Sequence, residues 1–281
     1  MGLEKALGKA IADARRAAGL TQQELCNSTG ISYSTLAKIE RGAIKSPSVF
    51  TVANIAKATG LSVEQLIGDY SPTAPKIDFK KAKNGIEFVY FDINGCLVRF
   101  FQRAFTKLAF DTHTKPEVIE NLFWHYNDAV CRGEMTLEEF NQLLAEKLHT
   151  QDLDWANYYL DGVEPILEAQ ETLLWASEHF KVGLLSNIMP GLIDRMIGKG
   201  LIPKIDYQAI IDSSQAGAIK PEAKIYEVAA EKANTHPSDI LLIDDSRPNL
   251  MAAQHMGWHV IWFDDFRPKD SADRVKQILE F

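Results

Sequence analysis

Apolar positions in the first seventy residues recur at helical spacing. Leu7, Ile11 and Ala14 share one face of a helix predicted from Glu4 to Ala18, and Gly19 supplies its stop. A second helix starts at Thr21, where Thr21 and Glu24 form the two ends of a capping box. After a short turn at Thr29 to Ile31, Ser32 caps a third helix that runs to about Arg41, and Gly42 closes it. Beyond residue 84 the period changes. The apolar runs Ile86 to Asp92, Lys181 to Ser186, Ala209 to Asp212, Ile240 to Asp244 and His259 to Phe263 are short and nearly continuous, as in strands buried on both faces. Amphipathic segments separate them, which predicts a parallel α/β sheet.

Residues 71–84 carry two prolines and four lysines with little apolar periodicity, and read as a linker. The predicted division is therefore a helical head at 1–70, a linker at 71–84 and an α/β body at 85–281. Between the first two strands, residues 100–165 form a long polar and aromatic helical insert with a second capping box at Thr136 and Glu139.

At 281 residues and 46% apolar content the chain can build well-packed cores. It has no apolar run long enough to span a membrane and its first residues lack a signal-peptide core, so a cytoplasmic location and no membrane partner are expected. Cys26, Cys96 and Cys131 show no paired spacing and are expected to be reduced thiols. The net charge of −8 is unevenly spread. Residues 1–70 hold 8 Lys+Arg against 6 Asp+Glu, residues 71–84 hold 4 against 1, and residues 85–281 hold 18 against 31. A basic head on an acidic body suits nucleic-acid contact at the head alone.

The polar residues that end the strands carry the candidate chemistry. Asp92 follows the first strand and enters a tight Asn94-Gly95 turn. Ser186 and Asn187 end the second strand, Lys220-Pro221 follows the third, and Asp244, Asp245 and Ser246 follow the fourth. In open α/β sheets such groups collect at one edge, so distant segments can assemble one site.

In order and spacing these motifs resemble the haloacid dehalogenase (HAD) superfamily of phosphatases across residues 86–265. The resemblance implies a HAD-like Rossmannoid parallel sheet with a helical cap. It also implies that Asp92 attacks phosphorus, that Ser186, Asn187 and Lys220 bind phosphoryl oxygens, and that Mg²⁺ is held by Asp92, Asp244, Asp245 and the Asn94 carbonyl. A carboxylate nucleophile divides hydrolysis into two steps, and a hard cation lets several carboxylates coexist with a phosphate dianion. The family usually places a second Asp two residues after the nucleophile as general acid and base; here Asn94 occupies that place. An amide cannot shuttle a proton, so binding is expected to survive where turnover suffers. Dehalogenases of the superfamily usually carry Tyr at this position, so dehalogenation fits less well. In the cap, Phe100, Arg103, His125, Tyr126 and Arg132 are candidates for substrate contact.

The head, from Leu20 to Gly42, resembles the phage-repressor type of helix-turn-helix, the XRE family, over residues 4–68. That implies double-stranded DNA as partner, with Tyr33, Ser34 and Lys38 of the third helix facing bases or nearby phosphates. Gln22, Ser32 and Lys45 would contact the backbone. One such module offers little surface, so a homodimer is expected. The combined expectation is a DNA-binding transcriptional regulator whose second domain binds, and slowly hydrolyses, a small phosphorylated metabolite. Two alternatives stay open: an efficient Mg²⁺-dependent phosphatase whose head serves localisation or oligomerisation, and a protein-interaction module with no DNA role.

Overall fold

The computed structural model describes residues 3–44, 46–63, 66 and 79–281. The chain divides into two compact units, Met1–Lys76 and Ile77–Phe281.

In the first unit the described helices are α1 (Leu3–Ala17), α2 (Gln22–Thr29), α3 (Tyr33–Glu40) and α4 (Val49–Thr59). Both halves of the Thr21–Glu24 capping box form, and the Ser32 side chain accepts from the amide of Thr35 as the cap of α3. Ile11, Leu25, Leu36, Ile39, Val52 and Ile55 close the core. The helix α4 had no counterpart among the individually predicted elements. Lys45 and residues 71–78 of the predicted linker lie outside the described residues. The rest of that linker packs on the second unit: Ala82 is buried, Lys83 donates its amide to the Glu280 carbonyl, and Lys81 pairs with Glu87 and Asp239.

The second unit is built on a five-stranded parallel sheet in the order β5-β4-β1-β6-β7. Its strands are β1 (Phe88–Phe91), β4 (Lys181–Ser186), β5 (Ala209–Asp212), β6 (Ile240–Asp244) and β7 (His259–Trp262). Alternation along β1 sends Phe88 and Tyr90 into one core, with Leu185, Tyr226 and Trp258, and Val89 and Phe91 into the other. Being central and buried on both sides, β1 delivers Asp92 to the carboxyl edge between β4 and β6.

Two short strands, β2 (Val98–Arg99) and β3 (Glu164–Pro165), pair antiparallel at the ends of the predicted insert. Between them lie helices Gln102–Asp111, Pro116–Cys131, Leu137–Lys147 and Trp155–Gly162. Phe101, Phe105, Phe123, Phe140 and Trp155 pack as an aromatic core, with Phe123 and Trp155 centroids 4.9 Å apart. Lys220-Pro221 does not itself open the helix after β5. A short helix, Ser213–Ala216, intervenes, and the long one spans Ala223–Ala233. Among the described residues no helix is long and apolar enough to cross a membrane.

Candidate functional site

The carboxyl edge of the sheet gathers Asp92, Ser186, Lys220, Asp244 and Asp245. Lys220 is the hub: its Nζ lies 3.0 Å from Asp92 Oδ1 and 2.5 Å from Asp244 Oδ2, and donates to the Leu185 carbonyl at 2.9 Å. Burial alone would favour the neutral amine, but Asp244 and Asp92 outweigh it and hold the ammonium charged. Its backbone is fixed in both directions by Asn187, whose Oδ1 accepts from the Lys220 amide at 2.7 Å and whose Nδ2 donates to the Lys220 carbonyl at 2.8 Å. Both ends of the Asn187 amide are thus committed to positioning Lys220.

Asp244 accepts from the Ser246 amide at 2.8 Å and from Asn249 Nδ2 at 3.1 and 3.2 Å. Asp92 is less well provided. The Lys220 contact is an ion-pair distance without hydrogen-bond alignment, so Oδ1 is buried with no aligned donor. The Ser186 hydroxyl is close enough to favour the ionised carboxylate, yet it too is buried without an aligned partner. Burial pushes the Asp92 carboxyl up to about 6, Lys220 opposing and Asp244 adding to the rise. Asp245 is exposed as a residue, but its carboxylate sits over Gly95: a Cβ built there would meet Asp245 Oδ2 at 2.1 Å. Gly95 also adopts φ +80°, so this turn needs glycine for conformation and for space. Burial, then Asp92 and Asp244, push the Asp245 carboxyl up to about 7.

Three carboxylates lie here with one oxygen from each within 4.8 Å of the others, and Lys220 pairs with two of them, Asp92 and Asp244. The raised carboxyls of Asp92 and Asp245 and the undonated Asp92 oxygen are what a hard divalent cation would relieve, so the donor set fits one.

Asn94 meets the cap. Its Oδ1 accepts a 2.7 Å hydrogen bond from the hydroxyl of Tyr159, a buried residue of helix Trp155–Gly162. Beside this pair lies a small pocket of about 20 Å³, lined by Phe101, Phe123, Asn127, Trp155 and Tyr159 of the cap and by Asn187 to Met189 of the core. None of the five predicted cap candidates lines it. Arg103 pairs with Glu164, Arg132 with Glu222, Phe100 stacks on Trp124, and His125 packs edge-on against Tyr126. Tyr159, Asn249 and Ser213 were not singled out in the sequence; the Ser213 hydroxyl bonds both the amide and the carbonyl of Ile188, bracing the loop after Ser186. Asn249 follows Asp244 by five residues on the next helix, a spacing that a strand-to-helix reading could have flagged. Cys96 is a buried filler whose thiol burial pushes well up.

In the helical unit, Gln22, Tyr33, Ser34 and Lys38 line one groove of about 540 Å³ together with Arg16 and Arg41, two cations the sequence reading did not include. Tyr33 is 54% exposed. Gln22 is half-buried, with its Nε2 committed to Glu40 at 2.7 Å. Arg15 donates to both Glu40 oxygens at 2.7 and 3.1 Å and to the Leu20 carbonyl at 2.8 Å, tying α1, α2 and α3 together. Burial alone would raise the Glu40 carboxyl; Arg15 and Gln22 overcome it and hold the group below the usual range. Glu40→Ala leaves the part-buried Arg15 charge without its partner and is expected to lower stability of this unit by about 1–3 kcal/mol, read from faster amide exchange across α1 to α3. The depressed carboxyl stabilises above its unfolded pKa, so in wild type this support is lost as pH falls through the folded value. Gly8 adds a steric constraint. A Cβ there would meet the Ile39 carbonyl at 2.3 Å, so α1 crosses α3 at backbone contact.

Fold and edge chemistry define an α/β protein with a buried acid, hydroxyl and lysine constellation, joined to a helix-turn-helix domain. The haloacid dehalogenase-like hydrolase model matches residues 86–257 and the helix-turn-helix model residues 11–66. The chain belongs to the haloacid dehalogenase-like hydrolase family, and its head is a helix-turn-helix domain of the XRE type. A solved relative in fold is the HAD family enzyme bt-2542 of Bacteroides thetaiotaomicron in complex with magnesium and inorganic phosphate. It is 22% identical with a TM-score of 0.53, covering 63% of this chain and 94% of that one. Another is a predicted HAD-like family hydrolase of Porphyromonas gingivalis, 20% identical with a TM-score of 0.57 and coverages of 70% and 98%. Among curated proteins, mouse acyl-CoA dehydrogenase family member 10 is 23% identical over 205 residues, 69% of this chain. The match spans only 19% of that longer protein. The head is 37% identical over 67 residues to the uncharacterized HTH-type transcriptional regulator y4dJ of Sinorhizobium fredii, 24% of this chain and 86% of that protein.

Proposed function

We propose that this protein is a DNA-binding transcriptional regulator whose α/β domain binds a small phosphorylated metabolite with Mg²⁺ and turns it over slowly. The observation that carries the reading is the single residue that departs from an otherwise assembled site: Asp92, Ser186, Lys220 and Asp244 converge, while Asn94 stands where a proton shuttle belongs.

Asp92, Asp244 and Asp245, with the Asn94 carbonyl, would hold the Mg²⁺. When bound, the ion offsets negative charge between these carboxylates and a phosphoryl group. Lys220 neutralises phosphoryl charge, kept in place by Asn187. The free Ser186 hydroxyl is available to donate to a phosphoryl oxygen. Asp92 is the nucleophile; with no acid on the leaving-group side, alkyl phosphates turn over slowly. Phosphate release across a panel of phosphorylated metabolites should be slow in wild type and absent in Asp92→Asn. Release unaffected by that substitution would remove Asp92 from the chemistry.

For the head, the groove with Arg16, Lys38 and Arg41 supports duplex binding by phosphate neutralisation. Affinity should fall steeply with salt, and Lys38→Ala should reduce the salt slope by about one unit. No duplex binding even at low salt would end the regulator reading. A homodimer, each head reading one half-site, is the assembly that suits a single small module.

A further inference from the structure

Among the described residues the pocket beside Asn94 carries no charged side chain in its lining. It is lined by aromatic, amide and aliphatic side chains and Cys131, with no Asp, Glu, His, Lys or Arg. Of its two weak acids, the Cys131 thiol is pushed up to about 12 by burial, and the Tyr159 hydroxyl is already engaged with Asn94. Tyr159 donates its hydroxyl proton to Asn94 Oδ1, and the Asn94 NH₂ is a donor that can neither take up nor release a proton. The phosphoryl side has its full equipment: a buried carboxylate, an unpartnered buried hydroxyl and a buried lysine.

We propose that Asp92 is phosphorylated by small acyl phosphates and that the aspartyl-phosphate accumulates as a long-lived form of the protein. The inference rests on the phosphoryl-binding reading given above. In the first step an Asp92 oxygen forms a bond to phosphorus while the bond from phosphorus to the acyl oxygen breaks. The electron pair leaves with the carboxylate of the former acyl group, which needs no proton near neutral pH. An alkyl phosphate would release an alkoxide, and no group here protonates it. The second step, attack of water on the aspartyl-phosphate, must shed a proton, and no base lines the pocket beside Asn94; this step becomes the slow one. The aromatic side chains of Phe101, Phe123, Trp155 and Tyr159 crowd this pocket, which favours a short acyl group over a bulky one.

The full chain is incubated with acetyl phosphate and Mg²⁺, quenched in acid and mapped by peptide mass spectrometry, with inorganic phosphate measured in parallel. One hydroxylamine-labile phosphoryl group is expected on the peptide containing Asp92 in most molecules, none in Asp92→Asn, and none with glycerol phosphate as donor. In Asn94→Asp, occupancy should fall by roughly tenfold or more as hydrolysis catches up. Steady phosphate release without an adduct would overturn the accumulation while leaving the slow-hydrolase reading intact. Neither adduct nor release, from this donor or from the metabolite panel, would overturn both.

Discussion

Asn94→Asp is expected to raise the hydrolysis of alkyl phosphomonoesters by about 10²- to 10⁴-fold, the contribution of a positioned general acid and base. The substitution is nearly isosteric, and the Tyr159 hydroxyl that now donates to the amide oxygen at 2.7 Å would donate to a carboxylate oxygen instead. Orientation is therefore retained while proton capacity is added. Burial beside Asp92 would raise the new carboxyl, keeping a protonated fraction for the leaving group. The gain should be largest for alkyl leaving groups and smallest for acyl phosphates, which need no proton. A rise below about tenfold for alkyl phosphates would mean that something other than residue 94 limits turnover. Because Asn94 precedes Gly95, it is prone to deamidation, so the wild-type sample must be shown by mass spectrometry to carry Asn there.

Lys220→Met should unfold the α/β unit more easily by about 3–5 kcal/mol at pH 8, the cost of leaving buried charge without its partner. Lys220 is the cation shared by Asp92 and Asp244, and all three are buried. The loss should shrink toward pH 5. Asp92 and Asp245 have folded pKa values of about 6 and about 7, above the ordinary carboxylate range, so the folded state binds more protons than the unfolded state between roughly pH 4 and 7. Stability of the metal-free wild type accordingly falls as pH rises through that window. In the variant Asp92 loses the opposing charge of Lys220 and favours protonation still more strongly, so acid restores more of its stability. Urea unfolding at pH 5 and pH 8, with and without Mg²⁺, checks this. A deficit independent of pH would show that lost packing, and not stranded charge, is the cause.

The strands were legible because polar residues terminate them abruptly: Lys181–Ser186, Ala209–Asp212 and Ile240–Asp244 keep their predicted bounds. The first strand is shorter than expected, since the Ile86 carbonyl accepts from Ala82 in a preceding turn. The two-residue strands β2 and β3 are too brief for any period to announce them. At the site, Asp92, Ser186 and Asp244 stand at strand ends, Lys220 follows β5 after a short helix, and the sheet topology brings them together. Residues that act across the fold left no local mark. Tyr159 reaches Asn94 from 65 positions away, and Asn187, read as a phosphate ligand, gives both ends of its amide to Lys220 across 33. The cap candidates, taken from a polar and aromatic insert, do not line the pocket, which is mainly aromatic and amide; Arg103 and Arg132 are drawn into ion pairs.

The backbone contact at Gly8 and the Arg15, Gln22 and Glu40 ties make α3, the helix proposed to meet DNA, a fixed part of its unit before any duplex arrives. Little conformational entropy then remains to be lost on association. Calorimetry should accordingly find a small heat-capacity change for duplex binding, without the large negative value that marks a segment folding onto its partner.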